Sequence, residues 1–256
     1  MSLALTAATG FGMPDSHAVR ELSAGSRPGR RFEPRDERLL DNDLLTLAKH
    51  LPGGAEGLIV AREFPGGRGI ADVVAVTRWQ EPLERRVGTQ LPFLESETDC
   101  AVVTALSPKQ TRTVGSLTKR LGMSEEQITR RLRSLVATGH VRPWGSGFRR
   151  AADMEPVGHA YALEAKVSDW RQGISQALRY STWCDAAAVV LLRPPRDLGE
   201  VTERCSAMSL GLAVGDRWVV RPRLGRPHPA RRLAMSEQWV RLITESEPLE
   251  ALRAGV

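Results

Sequence analysis

Apolar residues recur along this chain with two periods, and the changes of period mark its elements. Leu39, Leu40, Leu44, Leu47 and Ala48 fall at helical spacing and Pro52-Gly53-Gly54 closes the run, which predicts a helix over 35–50. GLIVARE, 57–63, and IADVVAVT, 70–77, read as strands joined by a Pro65-Gly66-Gly67 turn, a hairpin whose second strand is apolar enough to be buried on both faces. Residues 78–94 read as a polar connection. Residues 1–34, rich in Gly, Pro, Ser and Arg, show no periodicity and read as a flexible arm.

Helical spacing returns over 96–106, through Val102, Val103 and Leu106, and over 113–121, through Val114, Leu117 and Leu121. After the turn Gly122-Met123, Ser124 is placed as an N-cap with Gln127 three residues on as its capping-box partner. Ile128, Leu132, Leu135 and Val136 then make the stripe of a helix that Gly139 stops. Residues 140–143 and 147–150 read as two short strands around Trp144-Gly145-Ser146. Beyond Pro156 the pattern predicts a strand at 160–167, a helix at 170–183 and an apolar strand at 186–192. A helix at 198–211, a strand at 217–221 and a helix at 236–252 follow.

Charge changes the picture in the middle of the chain. Residues 109–150 hold ten Lys or Arg against Glu125 and Glu126, a local charge of +8 in a chain whose whole net charge is +6. Such a block on an otherwise balanced protein suits a polyanion. Helix, helix, turn, helix and strand pair, read in SLTKRLGMSEEQITRRLRSLVATGHVRP, resemble the winged-helix regions of many bacterial regulators. That resemblance implies double-stranded DNA as partner, with the third helix in a major groove. Lys119, Arg120, Arg130, Arg131, Arg133, Arg142, Arg149 and Arg150 are the candidate DNA-binding residues.

The cations are also lopsided in kind: 32 are Arg, and the lysines are Lys49, Lys109, Lys119 and Lys166. A surviving lysine marks a place where a compact point charge is wanted. Lys166 stands in ALEAKV, where period-two alternation puts it on one face with Glu164. Asp72 sits alone in an apolar strand, a costly place for an unpartnered carboxylate. If the two strands are neighbours, the three side chains converge. Asp72, the EAK triplet and Gln176 and Tyr180 of QALRY together resemble the PD-(D/E)xK nuclease superfamily, of restriction-endonuclease-like fold. The resemblance implies that Asp72 and Glu164 hold Mg²⁺ (or Mn²⁺), with the Ala165 carbonyl as a further ligand. Lys166 and Gln176 would serve catalysis and Tyr180 support it. A fourth acid would come from Glu37, Asp41, Asp43 or Glu63. Ala71 stands where the motif has proline, and about 90 residues separate Asp72 from Glu164.

The expected fold is therefore α/β: a restriction-endonuclease-like mixed sheet, formed by 35–94 and 156–256, with a winged-helix insertion at 95–155. The expected function is DNA binding with metal-dependent endonuclease hydrolysis of phosphodiester bonds. The alternative is a non-catalytic DNA-binding regulator or assembly protein on a degenerate nuclease-like core, and a third is a winged-helix protein whose outer part senses a small molecule. A homodimer would supply two centres for two strands. No apolar run is long enough to span a bilayer and no export signal is recognisable, so a cytoplasmic location is expected. Cys100, Cys184 and Cys205 fit neither a disulfide framework nor a zinc site and read as structural. His140 and His159 read as structural or phosphate-facing. A second arginine cluster, from Arg217 to Arg232, would either extend a DNA footprint or be a solvated surface.

Overall fold

The computed structural model describes residues 19–23, 37–151 and 154–246. The fold is mixed α/β, with a seven-stranded mixed sheet and eight α-helices among these residues. The expected hairpin takes the second and third places in the sheet as β2 (Leu58–Gly66) and β3 (Gly69–Thr77). Antiparallel to β3 lies β6 (His159–Lys166), followed in parallel by β7 (Ala186–Leu191) and β8 (Gly211–Val214), with β9 (Arg217–Val220) antiparallel at the edge. Ala, Val and Leu fill β7, buried along its whole length because helices cover both faces, while β6 keeps Glu164 and Lys166 alternating on one of them.

One layer is α1 (Asp41–Lys49), whose Leu44, Leu47 and Ala48 pack on Leu58, Val60, Val73 and Leu163. The other is α6 (Trp170–Tyr180) with α8 (Pro229–Ser246), whose Ile174, Ala177, Trp239 and Val240 pack on Ile59, Ala61, Val74 and Ala162. Each buried Leu, Ile or Val among these contributes about 1.5–3 kcal/mol by leaving water.

The hairpin does not stay in the plane of the sheet. Ile59 and Ala61 face the α6 layer, and so does Phe64, although strict alternation would turn Phe64 the other way. Ala71 is turned over in the same manner relative to Val74 and Val76. The inversion falls at Glu63, which has φ 48, a conformation unusual for a non-glycine residue. The pairs Arg62↔Val73 and Phe64↔Ala71 bracket Glu63 and Asp72 as opposites. Beyond this kink the hairpin tip folds over α6: a Cβ on Gly66 would lie 2.4 Å from the Trp183 ring, so only glycine permits the approach.

Between β3 and β6 run α2 (Gln80–Gly88), α3 (Glu97–Ala105), α4 (Val114–Leu121), α5 (Glu125–Ala137) and the hairpin β4 (Val141–Trp144) with β5 (Gly147–Arg150). The capping box of Ser124 and Gln127 forms as expected, and Gly122 takes the left-handed turn at φ 66. Arg112 adds a backbone bridge to Phe148, with bonds of 3.0 and 2.9 Å, so the hairpin gains a third short partner. Leu117, Ile128, Leu132, Leu135 and Val141 form a separate apolar cluster, completed by Ala230 and Leu233 of α8.

Three expectations are corrected here. Residues 78–94 are not a plain polar connection, since α2 forms there and buries Leu83 and Arg86. Arg86 makes a two-pronged pair with Glu237 at 2.7 and 2.6 Å, and donates to the carbonyls of Leu91 and Pro92 at 3.1 and 3.0 Å. An Arg–Glu pair so far inside is tolerated because every prong is matched. The expected arm over 1–34 contains β1 (Val19–Ser23), paired in parallel with β2; the rest of that arm up to Leu40's helix turn at Glu37 lies outside the described residues. The helix expected over 198–211 ends earlier, as α7 (Leu198–Ala207), and its last position, Gly211, already begins β8. Residues 247–252 of the last expected helix lie outside the described residues. All three cysteines are free and buried, and among the described residues no helix is long and apolar enough to cross a membrane.

Candidate active centre where two strands part

β3 and β6 pair from Thr77↔His159 to Val73↔Leu163, and the same register carried one step further sets Asp72 opposite Glu164. There the strands separate. Asp72 Oδ2 accepts the Ala165 N–H at 2.7 Å in place of the β3 backbone. The fully buried Glu164 meets Lys166 Nζ at 2.7 Å through Oε1 and the Tyr180 hydroxyl at 2.7 Å through Oε2. Lys166 Nζ also donates to the Ala165 carbonyl at 2.9 Å. Asp72, Glu164, Lys166 and Tyr180, read from places up to 108 residues apart in the sequence, thus form one cluster.

Burial pushes the Glu164 carboxyl up to about 7; Asp72 adds to the rise, while Lys166 and Tyr180 oppose it. The Tyr180 hydroxyl that donates to Glu164 Oε2 lies 2.7 Å from the Ile70 carbonyl as well. Its one hydrogen is shared between the two acceptors. A carboxyl raised to about 7 can take or give a proton near neutral pH, which suits acid–base chemistry.

Gln176 lies on α6 one turn before Tyr180, and its Oε1 is buried with no hydrogen-bond partner, an acceptor waiting for a donor. Glu63 stands opposite Asp72 on β2. The other candidates for a fourth acid are elsewhere. Asp41 pairs with Arg62 at 3.0 Å, and Asp43 lies beside Asp216, both on α1, which covers the opposite face. The side chain of Glu37 lies outside the described residues.

Sequence reasoning missed Gly173. A Cβ there would meet Val189 Cγ1 at 2.7 Å and Lys166 Cγ at 3.3 Å, so glycine lets α6 lie close over the lysine stem. A glycine inside an otherwise good amphipathic helix is the signal that would have found it.

Among the described residues, no group of three or more His, Cys, Asp or Glu side chains is placed to share a metal ion. Mg²⁺ needs fewer, one or two carboxylates with water and substrate oxygens completing its shell. Asp72, Glu164 and the Ala165 carbonyl are the groups at this place that could supply it. Two of these three groups already cradle a cation, because the Lys166 ammonium rests on Glu164 Oε1 and Ala165 O.

The middle segment sorts the eight candidate cations into two groups. Lys119, Arg120, Arg130, Arg133 and Arg142 are exposed and make no ion pair among the described residues. Arg131 faces Asp99 at 3.6 Å, Arg150 pairs with Glu155 and donates to Met154 O at 2.9 Å, and Arg149 stacks 4.4 Å over Trp144. His140 is buried, contacts the Pro92 carbonyl at 2.9 Å, and is structural; burial lowers its pKa. Of the second arginine cluster, Arg221, Arg223 and Arg226 follow β9 along a segment whose Gly225 N–H bonds to the Asp185 carbonyl at 2.7 Å, at the end of β6 and β7 away from Lys166. Arg232 is buried on Asp185 at 2.9 Å.

Compared with protein-family models, with curated proteins and with solved structures, the chain matches none.

Proposed function

We propose that this protein is a metal-dependent DNA endonuclease: a restriction-endonuclease-like sheet carrying the cutting centre, with the α3–β5 segment as a winged helix that holds duplex DNA. The observation that carries the reading is the convergence of Asp72, Glu164, Lys166 and Tyr180 where β3 and β6 part. Asp72, Glu164 and the Ala165 carbonyl would hold Mg²⁺ or Mn²⁺. Such an ion, when bound, neutralises phosphate charge and makes bound water acidic. Glu164 must be ionised and let go of Lys166 to serve as ligand, which would free the Lys166 ammonium to face the phosphate oxygen or the attacking water. Gln176 Oε1, buried without a partner one turn before Tyr180, would accept a hydrogen bond from that water. Tyr180 holds the remaining Glu164 oxygen in position. Lys119, Arg120, Arg130, Arg133 and Arg142 supply the exposed charge for DNA.

Incubation of linear, nicked, supercoiled and single-stranded DNA with Mg²⁺ or Mn²⁺ tests the reading. Cleavage by the wild type, lost in Lys166→Ala and in Glu164→Ala, is the expected result. Binding without cleavage on all four substrates would overturn it.

One observation favours a second reading, a non-catalytic DNA-binding protein on the same fold: both Glu164 oxygens are satisfied within the protein. That reading predicts that Mn²⁺ titration produces no calorimetric signal that Asp72→Ala removes.

A further inference from the structure

Among the described residues, Trp144 is the one exposed aromatic side chain. It is 57% exposed and stands at the tip of the β4–β5 hairpin, where Gly145 and Ser146 alone separate the strands. Its neighbours follow from the register. Arg142 pairs with Arg149 and Trp144 with Gly147, so period two puts Arg142, Trp144 and Arg149 on one face of the hairpin. Val141 and Phe148 lie on the other face, against the apolar cluster of α4 and α5. The face that carries Trp144 therefore points away from that cluster, into solvent.

This face is held in place. Arg112 bonds to Phe148 in both directions, at 3.0 and 2.9 Å, which ties down β5 along its other edge. Arg149 Nε donates to Thr111 Oγ1 at 3.0 Å, and its guanidinium lies 4.4 Å over the Trp144 ring. The arginine covers one face of the indole, and the exposure that remains leaves the opposite face open. An indole fixed in one orientation before anything binds has less freedom to lose on stacking. Arg142, about 7 Å along the same face, is exposed and makes no ion pair among the described residues. Neither the hairpin nor the Thr111–Arg112 segment beside it contains an acid.

We propose that the outer face of the β4–β5 hairpin is a platform for an unpaired DNA base, stacked on the open face of Trp144 with Arg142 and Arg149 beside its phosphates. This rests on the DNA-binding reading above and names the form of DNA taken: a duplex that continues into a single strand. The indole offers a flat π-surface and every base has one to match it, so the contact is indifferent to sequence. Inside a duplex both faces of a base are covered by its neighbours, and only a base freed from that stack can sit on the ring. Arg130 and Arg133 of α5 hold the duplex through its phosphates, and the hairpin takes the strand that leaves it.

The test measures binding of the full chain to fluorescein-labelled DNA by anisotropy, in EDTA at fixed salt. Three DNAs share one duplex sequence: blunt, with a short thymidine tail, and with a tail of equal length built of abasic sites, which keeps the phosphates and removes the bases. The wild type should bind the thymidine tail more tightly than the abasic tail. Trp144→Ala should weaken binding to the thymidine tail by about 5- to 150-fold and make the two tails equal, and Trp144→Phe should restore most of the preference. Arg130→Ala/Arg133→Ala should weaken all three DNAs alike. Circular dichroism checks that the variants keep the fold. A wild type indifferent to the bases of the tail overturns the proposal, as does a preference that survives Trp144→Ala or an equal loss on both tails in that variant; binding to the blunt duplex then leaves the DNA reading standing. Binding to none of the three DNAs overturns both.

Discussion

Replacing Glu164 by Gln keeps the size of the side chain and removes its ability to ionise. In the wild type the folded protein holds the Glu164 proton up to about 7, against an ordinary value of 4.5. The protonated form is the one the fold prefers. Its contribution to stability is therefore present in full below 4.5 and is lost as the pH rises through 7. The gap between the two values corresponds to about 3 kcal/mol. The variant has no such loss. Relative to Glu164→Gln, the wild type should lose about 3 kcal/mol of stability between pH 4.5 and pH 8, because burial of the ionised carboxylate is only partly offset by Lys166. Other groups, His140 among them, titrate in both proteins and cancel in the difference. Urea denaturation of both proteins at intervals across this range measures it, and with an m-value of about 2 kcal/mol/M the midpoints should move relative to one another by about 1.5 M. A stability difference that stays constant within about 0.5 kcal/mol across the range would refute the argument. It would mean that Glu164 ionises in the ordinary carboxylate range.

Tyr180→Phe removes the hydroxyl bonded to Glu164 and Ile70 and should cost about 1–3 kcal/mol by denaturation, with the Glu164 titration moving further up. Gly173→Ala drives a methyl into Val189 at 2.7 Å and should cost about 1–3 kcal/mol in thermal or urea unfolding. Arg86→Leu strands the Glu237 carboxylate in the interior and should cost about 3–5 kcal/mol; hydrogen exchange at the Leu94 amide, which donates to Glu237 at 2.9 Å, should accelerate. Lys166→Ala should lower the cleavage rate about 10²–10³-fold while leaving the affinity for DNA in EDTA unchanged. Arg130→Ala/Arg133→Ala/Arg142→Ala should reduce the salt slope of DNA binding by about 2.7.

Much of the architecture was legible as pattern. The hairpin of β2 and β3, the both-sides-buried β6 and β7, and the capped α5 follow from local periodicity and turn chemistry, which need no knowledge of what lies across the fold. Glu164 and Lys166 share a face because of a period of two, and Gln176 and Tyr180 share one because they lie four residues apart on a helix. The misses are of another kind. α2 was hidden in a polar stretch because its buried anchor is an arginine, stable inside only when Glu237, 151 residues away, meets it. β1 was hidden because five residues in a Gly- and Pro-rich run become a strand only when β2 offers an edge. The ending of α7 and the start of β8 turn on where β7 presents its own edge.

The sequence by itself determined which residues are able to do chemistry and which short-range neighbours travel together: carboxylate, lysine and tyrosine at strand and helix spacing, and a block of positive charge on a capped helix. Only the tertiary structure decided that they meet. Asp72 reaches Glu164 because the register of β3 against β6 closes a separation of about 90 residues, and the partners that set the proton on Glu164 come from three different elements. Local spacing is encoded along the chain, whereas burial, desolvation and pairing depend on which surfaces are brought into contact, and those are properties of the folded whole.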